Sequence, residues 1–190
     1  MTKRLWRSSP VLFVVLAAGI ALAQDGKFIE RFTATGVRMQ TGKSSTVMIT
    51  VERWSTPEER QMLLDTLREK GSNAVAEALF KMPRVGFARF PNTSGKDLHY
   101  AWQTTMPDGT RRVVVGTERN MTVSETAKSG RSLQYQVGVI EMHFDKDGKG
   151  EGKLSAIAKV EADKKTDQVV IKNYDSEPVR LIKIKVEKGA

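Results

Sequence analysis

The chain has 190 residues, no cysteine and a formal net charge of +9 at pH 7, which arises from 31 Lys and Arg residues against 22 Asp and Glu residues. The lack of cysteine excludes disulfide bonds, thiol catalysis and a lipid anchor on an N-terminal cysteine. The positive charge is moderate and interspersed with acidic residues, so it predicts nonspecific attraction to polyanions rather than a specific nucleic-acid site.

The start of the chain has the three parts of a secretory signal peptide. Three basic residues precede an apolar run over residues 11–23, which ends in Ala21-Leu22-Ala23. The run is too short to span a bilayer comfortably, and the small residues at its end are typical of a cleavage site. We therefore predict a signal peptide over residues 1–23 and a periplasmic or secreted mature protein without a transmembrane anchor after cleavage. An uncleaved N-terminal anchor is the alternative.

The mature chain is expected to begin with a β-hairpin. Segments Phe28–Met39 and Ser44–Trp54 are rich in Thr, Val, Ile and aromatic residues, and they flank a short polar turn. In the second segment Val47, Ile49 and Val51 share one face, and the residues between them share the other, as in a half-buried strand.

Two helices are predicted next. Thr56 can serve as an N-cap, Pro57 suits the first helical position, and Glu59 has the spacing of a capping-box carboxylate. A shorter helix follows from about Asn73 to Lys81. The two form a helical hairpin inserted at about residues 57–82 of a single β-rich domain over residues 24–190.

Extended segments return after the second helix. Asp108-Gly109 predicts a hairpin turn between two of them. In the segment before that turn, Leu98, Tyr100 and Trp102 are expected on one face. The strand-like segments are 85–90, 98–106, 113–115, 121–123, 135–144, 153–162, 168–174 and 179–187.

The last of these segments has a regular alternation. Ile182, Ile184 and Val186 are expected to face inward, while the charged residues between them face solvent and would protect an edge strand. About nine closely spaced strands without repeated helical crossovers predict a mainly β (α+β) fold, an antiparallel β-sandwich or barrel with one inserted helical hairpin. Side-chain period alone leaves open whether the sheet closes.

Several blocks of the mature chain resemble an uncharacterised family of exported bacterial proteins. These blocks are residues 51–60 (VERWSTPEER), 85–87 (VGF), the 145–152 turn, 173–174 (NY) and 178–181 (PVRL). The resemblance covers most of the mature chain and implies export and a single domain. That family has no established activity, so the resemblance implies no functional residues.

One polar cluster could support chemistry. The side chains of Glu141, His143 and Asp145 would project from one face of a regular strand, where they could bind a metal or transfer protons. The chain has only two histidines and lacks the paired spacing typical of zinc ligands, so an exposed polar strand end is the simpler interpretation. The loop from Asp145 to Gly152 is rich in carboxylates, but an EF-hand register would put Ala156 where a bidentate Glu is needed. We interpret this loop as a solvated hairpin turn.

Aromatic and basic residues offer two further candidates. Phe32, Phe87, Tyr100 and Trp102, together with Tyr135 and Phe144, would line a ligand cavity if the sheet formed a hollow barrel, and they would be ordinary core residues otherwise. Arg111-Arg112 and Lys164-Lys165 could contact polyanions or could lie in solvated turns.

The leading functional hypothesis is a noncatalytic exported binding or interaction domain. The chain lacks a nucleophile elbow, a phosphate loop and a dinucleotide fingerprint, and we expect no cofactor. Its partner would be an envelope component or a small apolar ligand. The alternatives are a metal-assisted hydrolase that uses Glu141, His143 and Asp145, and a structural component of the envelope.

Overall fold

The computed structural model describes residues 27–91, 93, 95–118, 137–163, 169–174 and 178–189. In this part of the chain ten strands form one antiparallel sheet that curls into a nearly closed barrel, with two helices, which confirms the predicted fold class. The strands are β1 (Glu30–Val37), β2 (Ser44–Val51), β3 (Gly86–Arg89), β4 (Lys96–Leu98), β5 (Tyr100–Thr105), β6 (Arg111–Thr117), β7 (Val137–Phe144), β8 (Gly150–Ala162), β9 (Val169–Tyr174) and β10 (Val179–Lys188). The helices are α1 (Pro57–Lys70) and α2 (Ser72–Lys81).

The order of strands around the barrel is β4-β3-β2-β1-β10-β8-β7-β6-β5, and β9 pairs with the far half of β8. The two ends of this series meet because β4 runs almost directly into β5. Leu98 of β4 accepts a backbone hydrogen bond from Val85 at 2.8 Å, and the next residue, His99, donates its backbone N–H to Gly116 of β6 at 3.0 Å. One bent segment therefore joins both ends of the sheet.

The helical hairpin begins with the predicted capping box. Thr56 Oγ1 accepts the backbone N–H of Glu59 at 3.2 Å, and the Glu59 carboxylate accepts the N–H of Thr56 at 2.9 Å. Arg53 donates to both oxygens of the same carboxylate, each at 2.9 Å. The Arg53 hydrogen bond lowers the pKa of Glu59 below its ordinary value, although partial burial opposes this effect. Gly71 separates the two helices with a φ of +79°, which favours glycine.

The inside of the barrel is a packed core. The rings of Phe32 and Phe144 lie 5.8 Å apart, in the range of favourable aromatic contact. The buried interior side chains are contributed by most strands and by the segments beside β3: Phe32, Ala34, Val47, Ile49, Val51, Val85, Ala88, Phe90, Leu98, Ala101, Val113, Val115, Ile140, Met142, Phe144, Leu154, Leu181 and Ile184.

A second apolar layer lies outside the barrel, where the helices pack on the outer face of the sheet. Burial of this helical stripe is what holds α1 and α2 on the barrel, since short helices are marginal alone. Its buried members are Leu63, Leu67, Val75, Ala76, Leu79, Met82, Tyr100, Val114, Val137, Val139, Ala158 and Val160.

Two predicted face assignments are wrong, one in the β4–β5 segment and one in β10. Leu98 lies inside the barrel, whereas Tyr100 and Trp102 pack under the helices, because the bend at His99 exchanges the faces.

In β10 the inward residues are Leu181 and Ile184, while Val186 is 39% exposed. A bulge interrupts the alternation here, and Lys183 within it has a φ of 53°. Moreover, β10 lies between β1 and β8 and is not an edge strand.

Other expectations fall outside the described residues. These are the signal peptide with its cleavage site, the segment 121–123, Tyr135 and the pair Lys164-Lys165. Among the residues that the structure describes, no helix is long and apolar enough to cross a membrane.

Candidate functional site

Glu141 and His143 lie together on the outer face of β7, next to Arg112 of β6. Glu141 Oε1 accepts a hydrogen bond from Arg112 Nε at 2.6 Å and lies 2.9 Å from His143 Nε2. Burial favours a higher pKa for Glu141, but the hydrogen bond and charge of Arg112, with a smaller contribution from His143, hold the pKa below its ordinary value. A carboxylate stabilised as an anion in this way is a weak proton acceptor, so the geometry favours an ion-paired strand surface over general-base chemistry.

Asp145, the third predicted member of this cluster, is engaged elsewhere. Its Oδ1 accepts the backbone N–H groups of Asp147 at 2.9 Å and Lys149 at 2.8 Å, which closes the predicted hairpin turn. Within the described residues, no three His, Asp or Glu side chains are grouped closely enough to hold a metal ion. The metal site therefore stays a prediction. Of its three proposed ligands, Glu141 and His143 are adjacent, and Asp145 is bound in its turn.

The four aromatic residues proposed for a ligand cavity occupy three different places. Phe32 is inside the barrel, Tyr100 and Trp102 pack against the helix-covered layer, and Phe87 lies on the outside of β3. Arg60 of α1 lies 5.4 Å from the Trp102 ring. Burial raises the pKa of Tyr100 to about 12, and nearby arginine charges oppose the shift only in part. These four side chains do not surround one cavity.

The predicted basic pair Arg111-Arg112 is split by strand alternation. Arg112 points outward to Glu141, whereas Arg111 points inward and forms a two-pronged ion pair with Glu30 of β1, with Nη1 at 2.9 Å from Oε1. Three strands separate β1 from β6 in the sheet, so this ion pair crosses the barrel interior. The guanidinium lies 5.7 Å from the ring of Phe32 and 5.4 Å from that of Phe144, and the pair therefore covers one end of the core.

Sequence reasoning missed a surface groove of about 440 Å³ at the junction of α2, β3 and β4. We call it the aromatic–cationic groove. Phe80 of α2 and Phe87 of β3 supply its aromatic surface. The remaining lining residues are Arg84, Arg89, Gly95, Lys96, Asp97, His99 and Glu118.

Both carboxylates of this groove have basic partners. Asp97 lies 3.5 Å from Arg84, which also pairs with Glu52 just outside the groove. Glu118 lies 3.5 Å from His99 Nε2, while His99 Nδ1 is 2.8 Å from a backbone carbonyl oxygen at the end of α2.

The groove also contains the cations Arg89 and Lys96. Neither Arg89 nor Lys96 forms an ion pair within the part of the chain that the structure describes. Arg89 instead lies over the ring of Phe87, 5.2 Å from its centroid, and Arg84 lies 5.5 Å from the same centroid. This contact orders a guanidinium whose charge has no ion-pair partner among the described residues. Phe80 is 65% exposed at the same groove.

A faint sequence signal for the groove existed in the outward alternation of Phe87 and Arg89 on β3. No sequence pattern places Phe80 beside them, because the end of α2 and the β3–β4 pair meet only through the packing of the helices on the barrel.

Comparisons with protein-family models, with curated proteins and with solved structures found no match to this chain.

Proposed function

We propose that the mature chain is a noncatalytic exported binding domain that recognises its partner, an envelope component, through the outer surface of the barrel. The observation that carries this proposal is the contrast between a filled interior and the aromatic–cationic groove outside it. The groove combines an exposed phenylalanine with two cations, Arg89 and Lys96, that have no carboxylate partner in the part of the chain that the structure describes. Aromatic and arginine side chains are enriched at the energetic centres of protein interfaces.

The packed interior argues against a small apolar ligand inside the barrel. Ligand-binding sites of drug-sized molecules occupy about 300–1,000 Å³ and surround most of the ligand. Here the corresponding space holds large side chains such as Phe32, Met142 and Leu181, each with no accessible surface. The binding surface is therefore assigned to the outside.

The contacts of the helical hairpin favour a binding surface that is ordered before the partner binds over one that moves on binding. Its apolar stripe is buried on the sheet, its first turn is tied to Arg53, and the Ser72 hydroxyl accepts the backbone N–H of Val160 at 3.2 Å. A surface that is already ordered loses little conformational entropy when a partner binds.

A metal-assisted hydrolase is the second candidate, and its one favourable observation is the 2.9 Å contact between Glu141 and His143. The ion pair with Arg112 and the engagement of Asp145 in its turn make this candidate weaker.

Native mass spectrometry of the protein purified from its own host tests the proposal. We expect a mature chain that begins at Gln24 and carries a stoichiometric noncovalent partner. The partner should be lost in the variant Arg89→Glu/Lys96→Glu and kept in Arg38→Glu/Lys43→Glu, which reverses two exposed cations at the β1–β2 turn. A mature protein that carries no partner would overturn the proposal, as would metal-dependent hydrolysis that disappears in His143→Ala.

A further inference from the structure

We infer that the partner of the aromatic–cationic groove is a protein, and that it contributes an acidic segment to Arg89 and Lys96 while covering the ring of Phe80. This inference rests on the proposed binding function and specifies the chemistry of the partner at that site.

The charge of the groove favours an acidic segment. The acidic side chains that line it, Asp97 and Glu118, are already within 3.5 Å of basic groups, whereas Arg89 and Lys96 have no ion-pair partner in the described chain. A carboxylate from outside would therefore meet uncompensated positive charge without displacing an internal ion pair. Complementary charge at an interface chiefly accelerates association and excludes partners of the wrong sign.

Arg89 is also oriented for this role. Its guanidinium lies 5.2 Å from the centroid of the Phe87 ring, so part of its side-chain entropy is already lost before a partner arrives. A planar guanidinium binds a carboxylate through two parallel hydrogen bonds, which gives both energy and orientation. Lys96, on the neighbouring strand β4, adds a second positive charge to the same groove.

Phe80 favours a protein over a small anion. A small-molecule site encloses most of its ligand within concave walls. Phe80 instead leaves 65% of its surface open, near the C-terminal end of α2. An exposed aromatic ring of this kind is buried when the surface of another protein closes over it, and burial of a phenylalanine contributes substantially to interface energy.

Photo-crosslinking in the native host tests the inference. The variant Phe80→p-benzoylphenylalanine carries the crosslinker in the groove, and Met39→p-benzoylphenylalanine carries it at a comparably exposed apolar residue, 58% exposed, after β1. We expect a protein adduct from position 80 that exceeds the adduct from position 39. Addition of Arg89→Glu/Lys96→Glu should reduce that adduct about tenfold, while addition of Arg38→Glu/Lys43→Glu should leave it unchanged.

The crosslinked partner is then purified and its affinity for the wild-type chain is measured between low and high salt. We expect the crosslink to map to an acidic segment and the association rate to fall as salt screens the charges. An adduct that survives reversal of Arg89 and Lys96, or that maps to a neutral or basic segment, would overturn the acidic partner while leaving a binding domain. A bound small anion in the native mass spectrum, without a protein adduct at position 80, would overturn the protein partner. If the experiments show no adduct and no bound species, the proposed binding function itself is overturned.

The charge reversals are expected to leave the stability of the fold unchanged. Arg89 and Lys96 do not belong to the packed interior, so the variant should unfold at the same denaturant concentration as the wild type. Loss of the crosslink together with an unchanged unfolding midpoint then assigns the effect to recognition.

Discussion

The ion pair that crosses the barrel gives the sharpest test of how this fold is stabilised. In Glu30→Gln the side chain keeps its size, but Arg111 loses its negative partner. The side chain of Glu30 is 6% exposed and that of Arg111 is 21% exposed, so Arg111 retains only limited access to water. Removal of one member of a buried pair costs about 3–5 kcal/mol, because the other charge stays buried and uncompensated. Since Arg111 is not fully buried, we expect the lower end, about 3 kcal/mol.

Urea unfolding followed by tryptophan fluorescence measures this cost, since Trp54 packs against the interior core. The matched control is Glu151→Gln, which removes the partner of Arg180 in a pair whose side chains are 69% and 55% exposed. Exposed pairs contribute at most about 1 kcal/mol. The double variant Glu30→Leu/Arg111→Met removes both charges and should recover much of the lost stability. If Glu30→Gln costs no more than Glu151→Gln, then water screens the ion pair, and the pair does not behave as a buried one.

Two further predictions concern pH. Because burial raises the pKa of Tyr100 to about 12, the neutral phenol stabilises the folded state fully below pH 10, and this contribution of about 3 kcal/mol is lost as pH rises from about 10 to about 12. Tyr100→Phe should therefore show a shallower alkaline loss of stability in urea titrations, and equal slopes would contradict the assignment. Because the Arg53 hydrogen bond lowers the pKa of Glu59, its contribution is present above the unfolded-state value near 4.3 and is lost as pH falls through the lower folded-state value. The variant Glu59→Gln has no carboxyl group to protonate at this position, so its stability should fall less steeply with decreasing pH than that of the wild type. Acid unfolding followed by circular dichroism measures this difference. Equal steepness would mean that the ion pair is absent from the folded state.

The features that sequence predicted correctly are local. The capping box joins residues three apart, Thr56 and Glu59, and the alternation of Val47, Ile49 and Val51 is a property of one strand. The Asp108-Gly109 turn follows from the backbone freedom of glycine, which here adopts a φ of +84°. Such local patterns predict structure even when the packing partners of each element are unknown.

The features that sequence missed depend on contacts between distant parts of the chain. Glu30 and Arg111 are 81 residues apart, and nothing in either strand indicates that both point into the same barrel end. The bend at His99 moves Leu98 inside and Tyr100 outside, which a constant two-residue period cannot anticipate. The aromatic–cationic groove likewise requires a helix end and a strand pair to meet. Glu141 and His143 lie 2.9 Å apart because both project from the same face of one strand, as their spacing predicts, whereas Asp145 follows that strand and binds its own turn.

The bulge in β10 is another feature that the alternation of residues did not predict, and it can be tested directly. Lys183 has a φ of 53°, a conformation that costs a residue with a side chain about 1–2 kcal/mol, whereas glycine adopts it freely. Glycine in an ordinary strand loses about 0.5–1 kcal/mol through its greater unfolded-state entropy. Lys183→Gly should therefore leave the free energy of unfolding unchanged or raise it by up to about 1.5 kcal/mol, while Lys185→Gly, two residues along the same strand, should lower it. Thermal and urea unfolding of both variants measure the difference. Equal destabilisation by the two substitutions would mean that Lys183 has ordinary strand geometry, and the inward placement of Leu181 and Ile184 would then need another explanation.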